Sequence, residues 1–327
     1  MNYKKYVGVI TALAAGITCL STAQAEENLW MYAKGTDTRP QGSVEIKIQD
    51  ILRDGKFAGD YSFHEIRPSI EYGITDKLTV GAELMIFRHD YSITNPDLQP
   101  YYDTQGGEGG RFKETAIGGY EFGLKYNFLS PYKDAFGFSM GLAWDHRDKY
   151  RLDGADINQD ALEIYAYFQK NFLDDTLVFV FNPKMELERR TSGEGFDFVL
   201  EEEIALDVAA AVSYRFAPKW FIGAEYRHQS DYLSPLVIDP DTGGLVEDDP
   251  SLDQSDIDLL FPKFGTQHQN GNYFGPSIHY ATERWWATAS ILLQVSGGGS
   301  ENAFNANGKN YDEHEERHIG VTFGYEF

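Results

Sequence analysis

The sequence predicts an all-β protein, a transmembrane antiparallel up-and-down β-barrel of about twelve strands, and three observations lead there. The chain opens with a secretion-type leader. Beyond it, stretches of about ten residues alternate apolar and polar side chains, so that only every second residue is fit to face lipid. The links between stretches alternate too, short turns with longer polar segments, as a barrel with both termini on one side requires.

In the leader, Lys4 and Lys5 precede an apolar run from Tyr6 to Leu20, and Ala23-Gln24-Ala25 supplies small residues for cleavage after Ala25. The run is shorter than the roughly 20 residues that span a bilayer as a helix. Thr18 is a poor neighbour for lipidation at Cys19, the chain's one cysteine. The expected organisation is a signal peptide (1–25), an N-terminal periplasmic segment (26–42) and an outer-membrane barrel (43–327). A mature chain without cysteine excludes disulfides, thiolate metal sites and a cysteine nucleophile.

Aromatic residues make up 15% and charged residues 24%, and mean hydropathy is −0.43, which excludes a helical membrane protein. Loss of Lys4 and Lys5 takes the formal net charge from −23 to about −25, so nucleic acid is excluded as a partner. Much of the acid is expected in solvated external loops.

The first stretch sets Val44, Ile46 and Ile48 against Glu45, Lys47 and Gln49, and a polar link covers Arg53 to Asp60. The second sets Ile66, Pro68, Ile70 and Tyr72 against Glu65, Arg67, Ser69 and Glu71, and ends at the turn Thr75-Asp76-Lys77. Leu78 to Ile86 form the third, and a loop of about residues 88–113 with a glycine-rich tip follows. The fourth puts Ala116, Gly118, Tyr120, Phe122, Leu124 and Tyr126 on one face, and the fifth Phe136, Phe138, Met140, Leu142 and Trp144. Further strands are expected near 160–171, 176–189, 198–216, 220–228, 272–281 and 285–295, and a last one carries Ile319, Val321, Phe323, Tyr325 and Phe327 outward. Aromatics flank the short turns, among them Tyr126, Phe128, Phe216, Trp220 and Trp285, as an interfacial girdle requires. Pro68, Pro183 and Pro276 fall inside strands, where a register slip is expected.

The unit Tyr72-Gly73-Ile74-Thr75-Asp76-Lys77-Leu78-Thr79-Val80-Gly81 resembles the strand, turn and strand of porin-like outer-membrane proteins found beside aromatic-degradation genes. Gly35-Thr36-Asp37-Thr38-Arg39-Pro40 resembles part of a functionally uncharacterised barrel family. The terminal Phe327 resembles the carboxyl-terminal signature of barrels inserted by the outer-membrane assembly machinery. These resemblances imply a porin-like barrel, and they bring no binding residues with them. The partners expected are outer-membrane lipid and lipopolysaccharide, the assembly machinery and a small solute.

Parity turns a set of charged residues inward. The lumen candidates are Glu83, Glu121, Lys184, Glu186, Glu188, Glu201, Glu203, Asp207, Arg215, Glu225 and Arg227, with acid exceeding base. An open lumen lined this way favours neutral and cationic solutes. A salt-bridged network of the glutamates with Lys184, Arg215 and Arg227, bracing a small barrel, is the favoured reading of the densest cluster.

For a hydrolase the candidates are Ser62 with His64 and the pair Asp145-His146, but nothing marks a group to orient either histidine, so no catalytic residue is assigned. The acidic loop of about 229–271 lacks the closing Glu of a calcium loop, with Pro250 in its place, so no metal or cofactor is assigned either. The function expected is a porin-like channel; the alternatives are a closed structural or surface-interaction barrel and, behind it, an outer-membrane hydrolase.

Overall fold

The structure is a computed structural model, and it describes residues 28–96, 98, 102, 110–192, 200–234, 236–238, 245–247, 264–299 and 308–327. The leader, Leu259-Leu260-Phe261 and most of the acidic loop therefore lie outside the described residues.

The strands are β1 (Val44–Lys56), β2 (Gly59–Thr75), β3 (Leu78–Ile93), β4 (Phe112–Leu129), β5 (Gly137–Lys149), β6 (Asp156–Phe172), β7 (Leu177–Ser192), β8 (Leu200–Ala217), β9 (Trp220–Leu233), β10 (Leu236–Ile238), β11 (Leu245–Glu247), β12 (Thr266–Ala281), β13 (Trp285–Gly298) and β14 (Arg317–Glu326). Twelve of them close a barrel in which each pairs antiparallel with its sequence neighbours and β14 pairs β1, while β10 and β11 form a separate ribbon between β9 and β12. The alternating pattern thus becomes a closed sheet that leaves no edge for another chain to pair with. One rim carries the tight turns and both strand termini and is called here the turn end; the other is the loop end.

Many strands run 16–18 residues, well beyond the roughly 9–11 that cross a bilayer. Outward faces are apolar across the middle and turn polar at the loop end, where His64 meets Asp50 at 2.9 Å and Arg317 meets Asp54. At the turn end the outward rings form a girdle: Trp220 packs on Tyr280 at 4.7 Å, Tyr280 on Trp285 at 5.2 Å and Tyr126 on Phe128 at 4.8 Å.

Three expectations are corrected. The stretch 53–60 is not a loop: β1 and β2 continue through it to a link of Phe57 and Ala58, helped by a bulge at Gly55, whose φ of +82° suits glycine. One loop-end link is therefore as short as any turn. The prolines cause no slip, because the register is the same on either side of each. Pro68, Pro183 and Pro276 keep their pairing on one side with Ile48, Val208 and Ala224. On the other side the ladder skips and then resumes in register, as the missing N–H requires.

The shift that matters for facing is in β4, where Met85 pairs Gly119 and Ile86 pairs Ile117. The residue left over, Gly118, lies where a Cβ would sit 2.4 Å from the Phe87 ring. Parity inverts there. Ile117 faces outward at 60% exposure, and Gly118, expected on the lipid face with Ala116, is buried.

Candidate functional site: the barrel lumen

The lumen is filled in tiers. Residues 28–41, expected as a separate periplasmic segment, form a strap inside the barrel near the turn end. Leu29, Trp30, Met31 and Ala33 are buried against Val178, Val180, Ala209, Ala211, Phe221, Tyr273 and Leu292. An apolar segment that cannot face water lies against an apolar inward wall, burial of Leu29 and Met31 contributing about 1.5–3 kcal/mol each.

A strap running across strands cannot join the ladder, so its backbone groups need side-chain partners. Glu225 serves three of them: its carboxylate accepts from the backbone N–H groups of Met31 (3.0 Å), Tyr32 (2.8 Å) and Ala33 (2.6 Å). Asn182 accepts from Lys34 N at 2.7 Å and Gln169 from Thr36 N at 2.8 Å. Lys125 donates to the Gly35 carbonyl, and Asn127 and Ser139 donate to that of Thr36. At the turn end Arg39 pairs with Glu45 (3.0 Å) and Glu326 (2.6 Å). Gly320 makes room for the strap, since a Cβ there would stand 2.9 Å from Met31.

Above the strap lies a belt of paired charges. Arg67 joins Glu83 and Glu121, the latter at 2.5 Å. Arg147 joins Asp145 and Glu186, each at 2.9 Å, and Lys184 joins Glu163 at 2.9 Å and Glu186 at 2.7 Å. Asp145, Glu163 and Glu186 bring oxygens within 4.8 Å of one another, a spacing that suits a cation. Arg147 and Lys184 already bridge those carboxylates, so the positions a metal would take are filled by protein cations.

Above the belt, one side of the lumen is an apolar cluster of Tyr61, Phe63, Phe87 and Tyr91 with Leu98 and Tyr102. The other is covered by residues 308–316, tied down by Lys56 to Glu315 at 3.3 Å and by Gln294 Nε2 to the Asn310 carbonyl at 2.7 Å. Among the described residues, one cavity of about 90 Å³ lies between strap and belt, lined by Lys34, Lys47, Glu83 and Tyr165, and another of about 110 Å³ lies between the belt and the lid formed by residues 308–316.

Of the lumen candidates, the structure gathers most but not all. Glu83, Glu121, Lys184 and Glu186 sit in the belt. Glu188 takes a hydrogen bond from Gln159, and Glu203 lies 3.9 Å from Arg190, both beside the upper cavity. Asp207 pairs with Arg227 at 2.5 Å, and Arg227 stacks 3.6 Å from the Tyr32 ring centroid, so this pair holds the strap. Glu201 pairs through its backbone with Arg190, and its side chain lies outside the described residues. Arg215 sits over Phe221 at the turn end, eight residues along β8 from Asp207. The candidates missed were Arg39, Arg53 and Arg147. Parity was the available signal for two of them, since the alternation that turns Asp145 and Glu45 inward continues to Arg147 and Arg53.

The hydrolase candidates do not assemble. Ser62 and His64 face outward on one strand, His64 engages Asp50, and His146 engages Asp160 at 3.0 Å. Two histidines do meet hydroxyl groups, His279 with Thr288 at 2.7 Å and His318 with Tyr32 at 2.8 Å. Thr288 in turn donates to the Asn28 carbonyl, so both contacts seat the strap.

Among curated proteins none matches the chain. Among solved structures it is similar to the COG4313 outer membrane channel from Pseudomonas putida F1, with a TM-score of 0.53 and 11% identity over 89% of this chain and 98% of that one. It is also similar to the beta domain of the Bordetella autotransporter Brka, with a TM-score of 0.50 and 11% identity over 88% and 100%. At such identities the likeness establishes the fold, that of an outer-membrane β-barrel. Over residues 22–327 the sequence matches the family of unknown function DUF6662, and the chain belongs to that family.

Proposed function

We propose that the protein is an outer-membrane channel closed by its own N-terminal strap, with the turn end in the periplasm, and that its open state passes small neutral or cationic solutes. The observation that carries this is how the strap is held. Its partners are side chains of the wall, Glu225, Asn182 and Gln169 among them, while the wall's own ladder is closed without it. A segment bound in that way can leave without breaking the sheet. The belt supports the solute class: five carboxylates, Glu83, Glu121, Asp145, Glu163 and Glu186, face three cations, Arg67, Arg147 and Lys184. That excess favours cations and hinders anions in a low-dielectric wall.

The solute class is tested by the reversal potential under a KCl gradient, using the barrel opened by Glu225→Ala. Selectivity for K⁺ is expected, and selectivity for Cl⁻ would overturn the cationic part. A second reading, a closed structural barrel in the same membrane, is favoured by the filling of the lumen itself. It predicts no current from any strap variant that inserts normally.

A further inference from the structure

Resting on the channel reading and naming its solute, we propose that the cavity between belt and lid is a binding site for a small neutral polyhydroxylated solute of the sugar type. The cavity measures about 110 Å³, room for several water-sized groups, and its cations are engaged by carboxylates in and around its wall, which also carries Asp231. Arg53 pairs with Glu65 at 2.6 Å, Lys56 with Glu315 at 3.3 Å and Arg147 with Glu186 at 2.9 Å. A solute with a net charge must compete with those pairs and give up its hydration to do so.

What the wall still offers is uncommitted hydrogen bonding. Arg53 Nε, Arg151 Nε, Gln229 Oε1 and His314 Nε2 are buried and have no hydrogen-bond partner, and all four residues line this cavity. That is two fixed donors, one fixed acceptor and an imidazole nitrogen able to serve as either. A carboxylate solute only accepts and an ammonium only donates, so each leaves part of this set unmet. A hydroxyl does both, and neighbouring hydroxyls on one ring satisfy donors and acceptors at short spacing. Phe63 in the same wall offers an apolar ring to the C–H face of such a ring, while the Tyr150 ring carries the Arg190 guanidinium at 4.2 Å.

The test is isothermal titration of the full mature protein in detergent with D-glucose, D-glucuronate and D-glucosamine, folding being checked by heat-modifiable mobility in a gel. Glucose is expected to bind saturably and more tightly than either charged sugar. Gln229→Leu and Arg151→Met should each weaken it about tenfold, the loss of roughly one buried hydrogen bond. Glu71→Gln, below the belt, should leave it unchanged. Absence of saturable glucose binding to the folded barrel, preference for a charged sugar, or indifference to both upper-cavity substitutions would overturn the proposal. Conductance is read separately on the barrel lacking residues 28–41, so glucose binding to the intact protein with no current from the folded strap-free barrel rejects the channel and keeps the site, and current from that barrel without glucose binding to the intact protein does the reverse.

Discussion

Arg227 lies 3.6 Å above the centroid of the Tyr32 ring and is held there by Asp207 at 2.5 Å, while Glu225, two residues back on β9, accepts the Tyr32 N–H. One inward face of one strand thus grips the strap by its ring and by its backbone.

The backbone grip should be the more costly to lose. Glu225→Ala leaves three buried N–H groups of the strap without an acceptor, a loss of about 3 kcal/mol or more in docking and roughly a hundredfold in the closed-to-open ratio. Protease sensitivity of the strap and bilayer current should both rise while gel mobility still reports a folded barrel. Glu225→Gln, which keeps one carbonyl oxygen, should have a smaller effect.

Steric displacement should act without touching a hydrogen bond. Gly320→Leu places side-chain atoms where Met31 lies, since even a Cβ would stand 2.9 Å from Met31 Cγ and Cε. Gly320→Ala can be met by a rotation of the flexible Met31 side chain. Leucine should therefore raise the current clearly and alanine slightly, and equal currents would argue against a strap seated at this position.

The lid should loosen in acid. Burial pushes His314 down to about 3, so it is neutral in place and takes up a proton when the segment opens. Burial opposes ionisation of Glu315, but Lys56, the His318 hydrogen bond and Arg53 together hold its carboxyl well below the ordinary range. Both shifts are downward, so the released state binds more protons and closure weakens as pH falls. His314 contributes from about 6.5 downward, at about 1.4 kcal/mol per pH unit, and Glu315 from about 4.5 downward. Hydrogen exchange of residues 308–316 should quicken steadily below pH 6.5 and should lose its upper limb in His314→Gln. Exchange independent of pH after correction for the intrinsic rate would contradict this.

Facing in β4 can be read chemically, because the chain's one cysteine is Cys19 in the leader. Ile117→Cys should react with a lipid-phase thiol reagent and Ala116→Cys should not. The reverse result would restore the uninterrupted alternation that the sequence suggests.

That strand marks where the sequence stops being legible. A closed barrel of twelve strands follows from an alternation that survives three prolines, because proline removes a hydrogen bond without changing the spacing of side chains. A bulge does change it, and Gly118-Gly119 looks like any pair of small residues until Phe87 is seen to need the space. The belt was partly legible: parity alone places Glu121, Lys184 and Glu186 in the lumen. Arg147 was lost because it reads as part of a polar rim, and parity gives the face of a strand but not the height along the lumen, so it could not place Arg215 over Phe221 at the turn end. The strap was invisible as a plug. Leu29-Trp30-Met31 is too short to show a period, and its seat on Glu225 depends on contacts 192–194 residues apart in the chain.

Planar-bilayer recordings that compare the mature protein with one lacking residues 28–41 test closure by the strap most directly. The intact protein should show little or no steady current, and the strap-free barrel, folded by gel mobility, should conduct several-fold more and prefer K⁺. Equal currents from the two, or none from the folded strap-free barrel, would contradict closure by the strap.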